Sequence, residues 1–164
     1  MINSNMDETS AVKKVSPKDV FLHLLGIVTL YSSAIALITL FFQYANLAFP
    51  DPLNFYRDEI LSTIRFSVST LIIVFPAYVI TTWFLNKSYL SNPERRNLRI
   101  RKWLIYFTLF VAALVVIGDL VTLVYNFLGG DITSQFVVKV FSVFFVAGSI
   151  FTYYFWDIRK YRTE

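Results

Sequence analysis

The sequence predicts an all-α integral membrane protein, an antiparallel four-helix bundle with N-terminus and C-terminus both on the cytoplasmic side. Three observations lead there. Of the 164 residues, 56 % are apolar and only 16 % are charged, against about 25 % charged in soluble domains. The charges collect in short blocks and leave four stretches almost free of them, each able to cross a hydrocarbon core of about 30 Å at about 1.5 Å per residue. Lysine and arginine also gather on one side of those stretches, twelve against Arg57 alone, which sets orientation by the positive-inside rule.

Residues 1–16 are polar and carry no apolar signal-peptide core, so a disordered cytoplasmic tail is expected there. A transmembrane domain follows over 17–157, with helices at about 17–49, 60–86, 103–128 and 132–157, and then a cytoplasmic tail over 158–164. Ser16, Pro17 and Asp19 combine an N-cap residue, a first-turn proline and a first-turn acid, which starts the first helix. Pro50 and Pro52 stop it, because proline lacks the amide donor and disfavours helix in the residue before it. The second helix holds one charge, Arg65, and Pro76, which predicts a kink. The third holds Asp119 alone and ends at Gly129-Gly130-Asp131, read as a minimal turn, and the fourth holds Lys139 alone. Trp83, Trp103 and Trp156 fall at the cytoplasmic ends of their helices, as membrane-interface anchors do. A soluble bundle would need a charged face on each helix, and these helices have none.

Small and polar residues recur at three- and four-residue steps along each span, the spacing of one helical face. They run through Thr29, Ser32, Ala36, Thr39, Gln43 and Asn46 in the first, and Ser62, Arg65, Ser69 and Pro76 in the second. In the third they are Thr108, Ala112, Asp119, Thr122 and Asn126, and in the fourth Gln135, Lys139, Ser142, Ser149 and Tyr153. Such stripes are expected to face one another as an inner polar seam, since lipid offers polar groups no partners. Asp119 and Lys139 each lie ten residues from Gly129, which puts them at one level and invites a salt bridge. Gln43 and Arg65 join them at about 10 Å from the outer helix ends. An unpaired charge in mid-bilayer costs about 2.5–3.5 kcal/mol on insertion scales, so pairing is expected in this layer of Gln43, Arg65, Asp119 and Lys139. The layer has two readings. It is structural, with Asp119 to Lys139 fixing helix register and Arg65 snorkelling outward to Asp58, Glu59 or lipid phosphate, or its excess cation binds an anion or relays protons. His23, one turn inside the first helix, reads as an interfacial hydrogen-bonding residue or as a pH-sensitive one.

No cysteine is present, which excludes disulfides, thiolate nucleophiles and iron–sulfur ligation. No metal-ligand spacing, nucleophile elbow, phosphate loop or dinucleotide fingerprint occurs, so no catalytic residue, metal or cofactor is expected, and the chain reads as no enzyme. The basic balance marks topology in this setting, and no nucleic-acid partner is expected.

Several segments carry a resemblance: SPKDVFLHLL at 16–25, FQY at 42–44, FPDP at 49–52, TTWFLNK at 81–87, NPERRNLRIRKWLIY at 92–106, GDL at 118–120 and YNFLGG at 125–130. Together these resemble a family of small bacterial four-helix membrane proteins catalogued as a domain of unknown function. The resemblance runs from about Ser16 to Arg159 and implies a multi-pass protein of the bacterial inner membrane, standing as a single domain. It brings no reaction and no ligand. The loops are too short to form a soluble domain, so partners are expected through lipid-facing surfaces: the bilayer itself, and a homo-oligomer or a larger membrane complex in which the chain is an accessory subunit. A small transporter or ion-conducting unit built on the Arg/Asp/Lys layer is the alternative.

Overall fold

The computed structural model describes residues 16–50, 56–91, 99–130 and 132–160. It consists of four helices, α1 (Pro17–Ala48), α2 (Arg57–Ser91), α3 (Arg99–Gly129) and α4 (Ser134–Lys160). Each is long and apolar enough to cross a membrane. The sequence expectations for residues 1–15, 51–55, 92–98, 131 and 161–164 lie outside the described residues.

Consecutive helices run antiparallel, which brings the start of α1, the end of α2, the start of α3 and the end of α4 to one end of the bundle, here called the terminal end. The opposite, loop end carries the links after α1 and after α3. Helix α1 is the central post. It packs on each of the other three, α3 packs on α4, and the backbone of α2 approaches α1 alone among the described elements.

Local chemistry explains the boundaries. Pro17 occupies the first turn of α1, but the Ser16 side chain makes no capping bond; its carbonyl instead accepts from the Asp19 and Val20 amides at 2.9 and 3.2 Å. Helix α3 stops where Gly130 turns left-handed at φ 76°, a conformation open to glycine because it has no Cβ. Helix α4 begins at Ser134, two residues later than expected, because Thr133 Oγ1 accepts the Phe136 amide at 3.1 Å and caps the helix. Helix α2 is 35 residues long and passes through Pro76. Its length of about 52 Å exceeds a hydrocarbon core of about 30 Å, since Asn86, Lys87 and Ser88 prolong the helix past its apolar stretch. Helix α3 likewise starts at Arg99, ahead of the apolar edge at Trp103.

Packing is inverted relative to a water-soluble bundle. Thr108 and Ser67 are the most enclosed side chains among the described residues, at 0 and 1 % exposure, whereas Phe66 and Phe141 stand at 74 and 70 %. The contact faces are built from Gly26, Thr29, Ser33 and Ala36 on α1, Ser67 and Thr81 on α2, Thr108 and Ala112 on α3, and Ser142 and Ala147 on α4. Small side chains let helix backbones approach, which is the attraction left when the surroundings are as oily as the side chains. Most hydroxyls on these faces donate to the preceding turn: Ser33 to the Thr29 carbonyl at 2.8 Å, Thr81 to Ala77 at 2.8 Å and Ser142 to Val138 at 2.7 Å, whereas the Ser67 hydroxyl is buried without a partner among the described residues. Thr108 donates to Leu104 at 2.9 Å and also accepts from the Tyr31 hydroxyl at 3.3 Å, which ties α3 to α1.

Thr108→Leu is expected to lower stability by about 1–3 kcal/mol by overfilling the closest point of the bundle, while Phe66→Leu on the exposed face stays within about 0.5 kcal/mol. Reversible unfolding in mixed micelles measures both.

Candidate functional site

The largest assembly of polar side chains among the described residues lies at the terminal end, where all four helices contribute. His23 is 7 % exposed. Its Nδ1 lies 2.6 Å from the Asp19 carbonyl oxygen, and its Nε2 lies 2.6 Å from the Tyr89 hydroxyl. A carbonyl can only accept, so the proton sits on Nδ1, and the ring bearing one proton accepts the Tyr89 O–H at Nε2. This single side chain therefore closes a hydrogen-bonded bridge from the first turns of α1 to the last turn of α2.

A second bridge joins the other two helices. Arg101 of α3 donates to Asp157 Oδ2 of α4 at 2.7 Å, with the two side chains 14 and 24 % exposed. The Arg101 guanidinium also lies 5.2 Å from the centroid of the Tyr89 ring, within the range of a cation–π contact. Tyr89 thus connects the α1–α2 bridge to the α3–α4 bridge. Tyr154 of α4 and Tyr78 of α2 line the space on the remaining side. Between these groups is a cavity of about 90 Å³, lined by polar side chains that include His23, Tyr78, Asn86, Tyr89, Arg101 and Asp157 and by the apolar Leu85 and Leu104. It has room for a few waters or one small polar group. Its chemistry is hydrogen bonding: hydroxyls, an amide, an imidazole and a paired guanidinium.

The layer expected at the loop end is placed differently. Counting along the helices from observed contacts brings its members to one level. Arg65 lies sixteen residues from Thr81, which packs on Gly26, as Phe42 lies sixteen from Gly26. Asp119 lies eleven beyond Thr108, which bonds Tyr31, as Phe42 lies eleven beyond Tyr31. Lys139 Nζ is itself 5.8 Å from the Phe42 ring centroid. Yet the four side chains do not meet. Gln135 and Lys139 share one face of α4, and that face is docked on α1: Gln135 Nε2 donates to Asn46 Oδ1 at 2.6 Å, and Asn46 Nδ2 donates to Gln43 Oε1 at 3.0 Å. The Lys139 ammonium is thereby turned towards α1 and away from α3. The Asp119–Lys139 salt bridge does not form; Asp119 is half-buried, and its Oδ2 is enclosed without a hydrogen-bond partner. Arg65 is exposed on α2, as are Ser62, Ser69 and Pro76, so the stripe expected to face inward on this helix faces outward. The inner face of α2 is carried by Ile60, Ser67, Thr81 and Tyr89.

Trp83, Trp103 and Trp156 are 56, 62 and 71 % exposed, all near the terminal end. Lys87 Nζ lies 5.3 Å from the Trp83 ring centroid, and Trp103 stacks on Phe107 at 5.4 Å.

Sequence reasoning singled out His23 but missed Tyr78, Tyr89, Arg101, Tyr154 and Asp157. Arg101 was absorbed into the basic block that marks topology. Asp157 carried the one available signal, an acid next to Arg159 and Lys160 at the same end as that block.

The model of the family described as Domain of unknown function (DUF5671) matches residues 19–154 of the chain. No curated protein and no solved structure matches it.

Tyr89→Phe removes the donor to His23 Nε2 and leaves a buried acceptor unpaired. A loss of about 0.5–2 kcal/mol of unfolding free energy is expected, whereas Tyr125→Phe, at 77 % exposure, is expected to be neutral. Parallel denaturation of the two variants in micelles decides it.

Proposed function

We propose that this chain, which belongs to the DUF5671 family, is a non-enzymatic protein of the bacterial inner membrane that acts by lateral helix association, as a homo-oligomer or as an accessory subunit. The reading orients both termini towards the cytoplasm, from the twelve-to-one distribution of lysine and arginine, with the indoles of Trp83, Trp103 and Trp156 in the cytoplasmic headgroup layer.

One observation carries the association. The buried residues of α3 are Leu104, Ile105, Thr108 and Ala112, all in its first half. From Ala113 to Gly129 no residue is fully buried, and the backbone of α2 approaches α1 alone among the described elements, its side-chain links to α3 and α4 lying around the terminal-end cavity. Two long helices therefore present uncovered faces that hold polar groups as well as apolar ones. Lipid tails can cover an apolar face, but the hydrocarbon gives a carboxylate or a guanidinium nothing to bond. A second reading, a small transporter or ion-conducting unit, is favoured by the cavity at the terminal end, whose polar side chains could hold a small solute.

Crosslinking in native membranes, or subunit counting by photobleaching in liposomes at low protein density, is expected to give species larger than one chain. Monomers throughout would remove the association reading. For the second reading, proteoliposomes should pass an ion or small solute at rates that Tyr89→Phe or Arg101→Gln alters. Background flux across common ions and pH gradients would end it.

A further inference from the structure

The uncovered faces of α2 and α3 carry opposite charges at the same depth. Arg65 is exposed on α2 and makes no hydrogen bond or ion pair among the described residues. Asp119 is half-buried on α3, with one carboxylate oxygen enclosed and unbonded. Both lie level with Phe42 of α1, one by sixteen helical steps from the Thr81–Gly26 contact and the other by eleven from the Thr108–Tyr31 bond. Within one chain they are kept apart, because the described parts of α2 and α3 make no backbone approach.

We propose that Arg65 of one chain pairs with Asp119 of a second copy, so that α2 of one protomer docks against the loop-end half of α3 of its neighbour. The proposal rests on the association reading above and names its interface. Copies inserted in the same orientation are related by an axis along the membrane normal, and such an axis leaves every residue at its own depth. A pair between copies therefore has to match in depth, and these two do. Lys139, the other cation at this level, is held over Phe42 of its own chain, which leaves Arg65 as the cation that faces outward. The guanidinium also suits the task, because it keeps its charge and presents several donors to the carboxylate oxygen left accessible.

The flanking residues permit a close approach. Gly118 lies beside Asp119, and a Cβ built there would meet nothing within 4 Å. Ser62 and Ser69 sit one turn on either side of Arg65 and are exposed. Small residues on both faces let the two backbones come near enough for a buried pair. The chain meets its second copy through a charge at the centre and small residues around it.

The absence of cysteine makes a direct test available. Full-length Arg65→Cys and Asp119→Cys chains are expressed together in membranes and treated with a short bis-maleimide. A crosslinked dimer is expected in the mixture, well above the level from either variant alone. Association of the full chain in liposomes is measured alongside, with Arg65→Gln and Asp119→Asn each expected to weaken it at least tenfold, the exchanged variant Arg65→Asp/Asp119→Arg to restore it, and Lys139→Gln to leave it unchanged. Oligomers that persist in Arg65→Gln and Asp119→Asn, with no mixed crosslink, overturn this interface and leave the association reading standing. A wild-type chain that stays monomeric overturns both.

Discussion

A polar group inside a bilayer has no water to turn to, and almost every feature of this molecule follows from where such groups find partners. Apart from Ser67, whose hydroxyl is buried without a partner among the described residues, the serine and threonine hydroxyls on the contact faces donate to carbonyls one turn back, which makes them small, self-contained and compatible with close helix packing. Side chains too large or too charged for that solution have to find one another across helices. At the terminal end they do so, through His23, Tyr89, Arg101 and Asp157. At the loop end the amides of Gln43, Asn46 and Gln135 do so, while Arg65 and Asp119 do not.

The two ends therefore differ in kind. The terminal end is a network of hydrogen bonds and one ion pair around a small cavity, and every helix is tied into it. The loop end is open along α2 and α3, with charge on uncovered surface. The proposed association would cover the second end, while the first is tied by the chain's own side chains.

The sequence disclosed the four spans because that signal is cumulative: dozens of apolar residues and a handful of charges must agree. Counting helical rise from a turn also led to an expected common level for Gln43, Arg65, Asp119 and Lys139. It did not disclose which way they face. Lys139 turns to α1 because Gln135, one turn earlier on the same face, bonds Asn46, and nothing in the local sequence of α4 states that choice. The partnership of Arg101 with Asp157 spans 56 residues, a long-range pairing invisible to spacing. For α2 the inner face fell on Ser67, Thr81 and Tyr89 rather than on Ser62, Arg65 and Ser69, because both faces hold small residues at helical intervals and the stripe pattern alone does not rank them.

The central place of α1 bears on how the chain comes to be built. It leaves the ribosome before the other three, and each of them meets it already in place: the backbone of α2 packs on it, α3 can dock on it as soon as it emerges, and α4 completes the set against α1 and α3. Order of synthesis and order of docking coincide, so at no stage must a finished contact be broken to admit a newcomer. A chain with this wiring can assemble in the membrane one hairpin at a time.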